Sequence, residues 1–496
     1  MQKNIIIVGG GTAGWMAAAA LSNALNPQYF NITLVESKRI GTVGVGEATI
    51  PGIIEFNKSL NIDENDFIKK TNATFKLGIE FIDWTRRGDS YIHPFSFFGQ
   101  SIQGVNFHDF LTRIGKINDK EEMGQYSLGY MAARNGKFKI PSQDPRDIES
   151  TYFYAYHFDA SLYADYLENY SVNKGVIKKE GMVTNVNLHS DTGFIESITM
   201  EKGEIIEGDL FIDCTGFKSL LIGETLGSEF VDWKKWLPCD RAVAIQSELT
   251  AETPPYTKAI AHEYGWQWQI PLHHRMGNGY VYCSDYLEAN EAEQHLKKHI
   301  SGKLTSEPNH IKFRTGKREK SWVKNCVAVG LSSGFLEPLE STSIHLIQTS
   351  VMKLIKYFPA NGISKELVHQ YNQEMNIQFD QVKDFLILHY KTSQRDDSEF
   401  WNYCRRIDIP DSLKERMELF QATGQFHERD YELFLKDNWL AVLIGQGVYP
   451  QSYDKRLDQF KDQDIAYLLA ALKGQIQQKV STMPSHKEIL QRFYSS

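Results

Sequence analysis

The order strand, glycine turn, helix, strand at the N-terminus constrains this chain more than any other feature. Asn4 to Val8 is an apolar run of strand length, followed by Gly9-Gly10-Gly11-Thr12-Ala13-Gly14 and an alanine-rich helix from Trp15 to Leu25. A second strand, Ile32 to Val35, ends on Glu36. This is the context that a G-x-G-x-x-G turn requires: its glycines allow a tight turn and let backbone approach a pyrophosphate at the helix N-terminus. Glu36, about 20 residues past the last glycine, is placed to accept hydrogen bonds from a ribose hydroxyl. The pattern predicts an α/β (α+β) fold that opens with a Rossmann-like dinucleotide site. Gly9, Gly11, Thr12, Ala13, Gly14 and Glu36 are its candidate cofactor contacts.

With 496 residues the chain exceeds one ordinary core, so more than one structural region is expected. A hydrophobic content of 42% and a charged content of 23% describe a globular chain. A net charge of −8 without any long Lys/Arg block argues against nucleic acid or an anionic membrane as partner. No apolar run reaches the ~20 residues that span a bilayer. A strand starting at Asn4 leaves no room for a signal peptide, so a cytoplasmic location is expected. Cys214, Cys239, Cys283, Cys326 and Cys404 are scattered, odd in number and without a C-x-x-C pair. Neither disulfides nor a zinc site follow from them, no acidic cluster has calcium-loop spacing, and no metal is expected.

Several later segments carry chemistry-bearing patterns. Asp209 to Gly216 and Asn325 to Gly330 are buried-type strands ending in small residues. Gly41 to Pro51 is a glycine-rich loop after the second strand, suited to bring backbone amides close to a ligand. Lys76 lies between Phe75 and Leu77, where partial burial competes with the usual solvated role of lysine. Trp266-Gln267-Trp268-Gln269-Ile270-Pro271 alternates faces as a strand, with both indoles on one side until Pro271 limits the ladder. Such an aromatic strand ordinarily packs a core. After Glu337-Pro338-Leu339-Glu340, apolar residues from Ile344 keep helical spacing, and Ser341 or Thr342 is a natural N-cap. On that reading Glu340 favours the positive end of the helix. Beyond about residue 360, Lys365–Phe379, Asp411–Phe420 and Asp462–Leu472 have helical periodicity.

Together the W-x-W-x-I-P strand, the G-V-G-E-A-T-x-P loop, Lys76 and the F-L-E-P-L-E-S-T segment resemble the flavin-dependent halogenases of the tryptophan halogenase type. The resemblance runs from the N-terminus to about residue 450. It implies an FAD region of the aromatic-hydroxylase flavoprotein type, built from separated stretches, with an inserted β-sheet drawn from roughly 85–175 and 225–315. The expected division is 1–360 for this region and 361–496 for a helical cap packed on it, the last 45 or so residues adding only helix.

The same resemblance implies FADH2 from a separate reductase, O2, and chloride or bromide as reactants, and a small aromatic substrate; a homodimer is left open. Gly46, Glu47, Ala48, Thr49, Gly330, Ser341 and Ile344 would join the glycine turn in holding flavin. Amides of Thr342 and Ser343 would bind halide. Hypohalous acid would pass Trp266 and Trp268, a partition separating flavin from substrate, to reach Lys76 as a hydrogen-bonded acid or a haloamine. Glu340 would orient the oxidant, stabilise charge on the ring, or take the departing proton. His93 and Phe95 would sandwich an indole. The chain departs from the pattern at Ser343, where glycine is usual; serine is strained there only if φ is positive. It departs again at 426–439, a shortened strap without the paired tyrosines that hold an amino-acid backbone. A more open site for simple indoles or larger aromatics follows. Arg395 to Trp401 also matches, and its expected role is structural. The rival expectation is an FAD-dependent aromatic monooxygenase.

Overall fold

The computed structural model describes residues 2–37, 46–427 and 429–495. Its backbone falls into two compact units, each assembled from three stretches of chain. Met1–Ala73, Phe158–Lys234 and Phe313–Asp380 form the first; Thr74–His157, Lys235–Lys312 and Gln381–Ser496 form the second. This differs from the division at residue 360 expected from the sequence. The change of texture there marks a change of secondary structure, whereas a domain is defined by which elements share a core.

The first unit opens with β1 (Lys3–Val8), α1 (Thr12–Ala24) and β2 (Phe30–Glu36). Six strands pair in the order Trp322–Val323, Cys326–Ala328, Leu210–Asp213, β1, β2, Ile177–Glu180. Every neighbouring pair is parallel except the first. Ile5, Ile6 and Ile7 face Leu210, Phe211 and Ile212 on one side and Ile32, Thr33 and Leu34 on the other. Strands covered on both faces read as apolar runs without alternation, which is how β1 reads. Of the two later strand segments, Leu210–Asp213 lies directly beside β1 and Cys326–Ala328 pairs with Leu210–Asp213.

The second unit holds a seven-stranded sheet in the order Asn309–Lys312, Arg241–Ser247, Met276–Tyr282, Gly265–Pro271, Thr257–His262, Gly78–Ile82, Ser90–Pro94. Only Thr257–His262 and Gly78–Ile82 pair in parallel. The tryptophan strand is interior, and Pro271 is its last paired residue, opposite Met276. Most strands come from the expected 225–315 stretch. The 85–175 stretch turns helical after Pro94, at Phe107–Arg113, Lys120–Gly124 and Leu128–Arg134, and its end belongs to the first unit as the helix Ala160–Asn173. Short apolar runs do not distinguish a buried strand from a buried helix, and of the 85–175 stretch only Ser90–Pro94 joins this sheet, with Ala155–Asp159 a strand elsewhere.

The expected C-terminal helices are present as Lys365–Lys391, Asp411–Thr423 and Asp462–Thr482. From residue 381 onward they belong to the second unit, so the cap expected on the FAD region is largely part of the other core. Among the described residues no helix is long and apolar enough to cross a membrane.

Candidate active site

In the first unit the glycine turn leaves no room for side chains. Gly9 has φ +115°, and a Cβ there would lie 2.2 Å from the Cys214 carbonyl oxygen. A Cβ on Gly14 would lie 1.8 Å from the Gly9 oxygen, so α1 packs directly on the turn. Gly11 is the N-cap and offers no side-chain cap, leaving the first-turn amides of Thr12, Ala13 and Gly14 for an anion. Glu36 folds over this turn: a Cβ on Gly10 would meet its Oε2 at 1.9 Å. Its Oε1 also pairs with Lys178 Nζ at 2.7 Å, and Lys178 pairs with Glu168. The acid suited to a ribose is thus oriented by a lysine that no local pattern marked.

Two further stretches complete this cradle. Gly330 has φ +71°, and its Cβ would lie 2.8 Å from Ala13 Cβ and 3.5 Å from Ile347. Gly330, the start of α1 and the helix Ser343–Lys356 therefore meet at one point, with Ile344 buried nearby in sequence. Asp213, fully buried at the end of its strand, accepts hydrogen bonds from the Ser332 hydroxyl and from the amides of Thr215, Leu221 and Ile222. Sequence reasoning passed over this carboxylate, although an acid ending an apolar strand is a visible signal. Gly41 to Val45, part of the expected glycine loop, lie outside the described residues. Its continuation Gly46–Ala48 is a short strand, and Ala48 and Thr49 are buried. Glu47 is half-buried as a residue, yet its carboxyl is desolvated, and burial pushes it up to about 8. At neutral pH it is mostly a neutral acid able to donate a hydrogen bond.

The segment after Glu337 is shaped by one unusual backbone angle. Pro338–Glu340 is a 3-10 turn with Glu340 completely buried. Ser341 then takes φ +59° and ψ 36°, the left-handed region that costs a non-glycine residue about 1–2 kcal/mol. That kink makes Thr342 the N-cap of Ser343–Lys356 by position alone: its side chain makes no cap bond. Thr342 is fully buried and its Oγ1 has no hydrogen-bond partner. Ser343 is not among the residues of positive φ, so serine is unstrained at this position; the strained serine is Ser341.

Lys76 belongs to the second unit. The strand Thr74–Lys76 pairs antiparallel with Ala155–Asp159, setting Lys76 opposite Ala155. The lysine is completely buried, with its ammonium 5.1 Å from the centre of the Phe95 ring. Beside it stands His157, also fully buried and pushed well below the ordinary histidine range, first by burial and then by the Lys76 charge. Its neighbours fix its tautomer. The Thr74 hydroxyl donates to the Pro271 carbonyl at 2.6 Å, so it accepts from His157 Nδ1 at 3.0 Å. Nε2 then accepts from the Thr257 hydroxyl at 2.9 Å. Thr74 thus ties the lysine strand directly to the end of the tryptophan strand, and His157, which nothing in the local sequence singled out, extends the chain of bonds to the start of Thr257–His262.

The C-terminal helix His486–Ser495 also reaches the lysine strand. The Phe75 amide donates to His486 Nε2 at 3.2 Å, and His486 Nδ1 donates to the Thr253 carbonyl at 2.9 Å. Phe75 stacks on Phe138 at 4.1 Å and meets Phe493 edge-on at 5.2 Å. The last 45 residues therefore do more than add helix.

His93 is buried on Ser90–Pro94, and its Nε2 meets the Asn438 amide at 2.9 Å. Its ring neighbours are Phe385 at 5.7 Å and Phe434 at 6.4 Å, whereas Phe95 faces Lys76. The expected pair thus divides between a strap contact and a lysine contact. The strap is anchored by Arg416, which bonds Glu432 and the His427 carbonyl and lies 4.4 Å over Trp439. Trp266 and Trp268 are buried with ring centres 6.2 Å apart. A Cβ on Gly279, the cross-strand partner of Trp268, would lie 1.9 Å from that indole, so glycine makes the recess it fills. Trp266 continues into Trp84 at 6.4 Å and, through it, Trp401 at 5.6 Å. Arg395 donates to the Asp83 and Ala261 carbonyls and bonds Asp397, in keeping with its expected structural role.

A glycine turn without room for side chains, beside returning parallel strands, is the pattern of the dinucleotide-binding class. Comparison narrows it. The tryptophan halogenase family model matches residues 4–462. The chain is 38% identical to tryptophan 6-halogenase SttH of Streptomyces toxytricini, covering 89% of each, and 38% identical to 7-chloro-L-tryptophan 6-halogenase KtzR of a Kutzneria species, covering 98% of this chain and 99% of that one. Among solved structures, BrvH, a flavin-dependent halogenase from Brevundimonas sp. BAL3, superposes with a TM-score of 0.95 at 41% identity over 99% of both chains. The chain belongs to the tryptophan halogenase family and is a flavin-dependent halogenase. The aromatic monooxygenase alternative is set aside by the same findings.

Proposed function

We propose that the chain receives FADH2 from a separate flavin reductase in the cytoplasm and uses O2 and chloride or bromide to halogenate an electron-rich aromatic, an indole derivative. The cradle fits FAD: Gly9, Gly10, Gly14 and Gly330 leave space only for backbone, and Glu36 suits a ribose. Reduced FAD would supply two of the four electrons that O2 takes up, and the halide the other two, so that halide leaves as hypohalous acid and the second oxygen as water. The Thr342 hydroxyl and the amides of Thr342 and Ser343 hold the halide. Lys76 holds the oxidant through its Nζ, Glu340 takes the proton that leaves the ring, and Trp266 and Trp268 act as the partition between flavin and substrate.

The observation that carries this reading is the complete burial of Lys76. A desolvated amine is rare and costly outside a functional role. The unpaired Thr342 hydroxyl adds support, because a buried polar atom without a partner costs about 1–3 kcal/mol unless a ligand meets it. The short strap, with Phe434 rather than paired tyrosines beside His93, favours an indole lacking the amino-acid backbone. Mass spectrometry of reactions containing FAD, a reductase, bromide or chloride, and indole or tryptophan tests the assignment. Halogenated indole in excess over halogenated tryptophan is expected. An oxygenated product that ignores halide would refute the halogenation assignment, and a preference for tryptophan would refute the substrate class.

A further inference from the structure

Away from these residues, three histidines converge on the side of the second unit's sheet that faces away from the tryptophans. His262 ends Thr257–His262, and His295 and His299 lie four residues apart on one face of the helix Ala289–His299. One ligand nitrogen from each lies within 4.8 Å of the others. The His262 ring is 4.4 Å from that of His295 and 4.8 Å from that of His299. Histidines at i and i+4 on a helix are a recurring two-point metal grip, and a strand histidine adds a third.

Two of the rings are already held in the form a metal needs. His299 Nδ1 donates to the His295 carbonyl at 2.7 Å, an acceptor of fixed sense, so its Nε2 keeps a lone pair. His262 Nε2 donates to Gln267 Oε1 at 3.0 Å, which leaves the lone pair on Nδ1. Second-shell acceptors of this kind set the tautomer of metal-binding histidines. The third ring supplies the unexplained atom: His295 Nε2 is buried and has no hydrogen-bond partner. Packing alone gives no reason to leave that nitrogen unsatisfied.

We propose that His262, His295 and His299 form a binding site for a divalent cation that prefers imidazole, zinc foremost. Neutral rings are required, and burial pushes His262 down to about 3 and His295 to about 4. Nearby charges are mixed: Arg395 and Lys298 oppose a cation and Glu263 favours one. Zinc–nitrogen bonds of about 2.0–2.1 Å at tetrahedral angles bring nitrogens to about 3.4 Å apart, so the rings close inward on binding. His299 is exposed and free to make most of that movement. Gln267 stands between Trp266 and Trp268 on the opposite face of their strand, so the metal would brace the tryptophan strand from behind.

The test uses untagged full-length protein, stripped with chelator and titrated with zinc chloride by calorimetry, with bound metal counted by mass spectrometry. One zinc per chain at micromolar affinity or tighter is expected, with cobalt giving the visible absorption of a tetrahedral site. His295→Ala and the solvent-side His299→Ala should each weaken zinc binding about 100-fold, Gln267→Leu about 10-fold, and the remote exposed His369→Ala not at all. Zinc should raise the unfolding temperature of wild type and not of His299→Ala. Absence of saturable zinc binding, or binding that survives His295→Ala and His299→Ala, overturns the site.

Discussion

The turn at Gly9 and the strand at Lys76 reach their form by opposite routes. Around Gly9 the determinant is missing atoms: the chain passes within 2.2 Å of where a side chain would begin, and six consecutive residues contain the turn. Around Lys76 the determinants are other side chains, namely His157, Phe95, Phe138 and His486, the last contacting a residue 411 positions away. A backbone-built site is written locally and tolerates no added carbon. A side-chain-built site is written across the chain and fails through its supports.

The largest effect should come from Lys76→Ala, lowering turnover by about 10²–10⁴-fold with FAD affinity unchanged, read by reductase-coupled product formation and flavin titration. Loss of flavin affinity in that variant would break the separation of the two regions. Gly14→Ala should do the reverse, abolishing FAD binding and costing about 2–4 kcal/mol in denaturant unfolding, because the new Cβ meets backbone that has no way to yield. His486→Gln sharpens the comparison through pH. Burial holds the His486 imidazole at about 4, below its ordinary 6.5, so the unfolded chain takes up the proton first. Its contribution is fully present above pH 6.5 and is lost as pH falls toward 4, a change of about 3 kcal/mol. Glutamine keeps both hydrogen bonds without titrating, so the variant should lose that part of the acid slope in unfolding measured from pH 7 to 4. Thr342→Val should have the smallest effect on stability. Removing an unpaired buried hydroxyl should stabilise halide-free protein by about 1 kcal/mol and erase the rise in unfolding temperature that bromide gives wild type.

This contrast also governs what was legible in the sequence. β1, the glycine turn, α1 and β2 were readable because each depends on neighbours in the chain. The Glu337–Ser343 segment was readable as a motif, but not its geometry: the strained residue is Ser341, and Thr342 caps without using its hydroxyl. The supports of Lys76 were not readable. His157 sits in an ordinary aromatic strand, and no periodicity connects Phe75 with a helix that starts at His486. The same limit explains the division at residue 360, since pairing between distant strands leaves no trace in local pattern. The histidine triad was missed for a related reason. His295 and His299 have metal spacing on the helix, but His262 joins them only through the fold.

The bond from Phe75 to His486 has a consequence for biosynthesis. Phe75 leaves the ribosome 411 residues ahead of its partner, so the lysine strand waits for that length of synthesis before this support arrives. A chain cut short before residue 486 would still contain every motif named at the outset, including the glycine turn, Lys76, the paired tryptophans and Glu340. A fragment carrying all the signatures of the family would therefore lack the support that His486 gives the lysine strand.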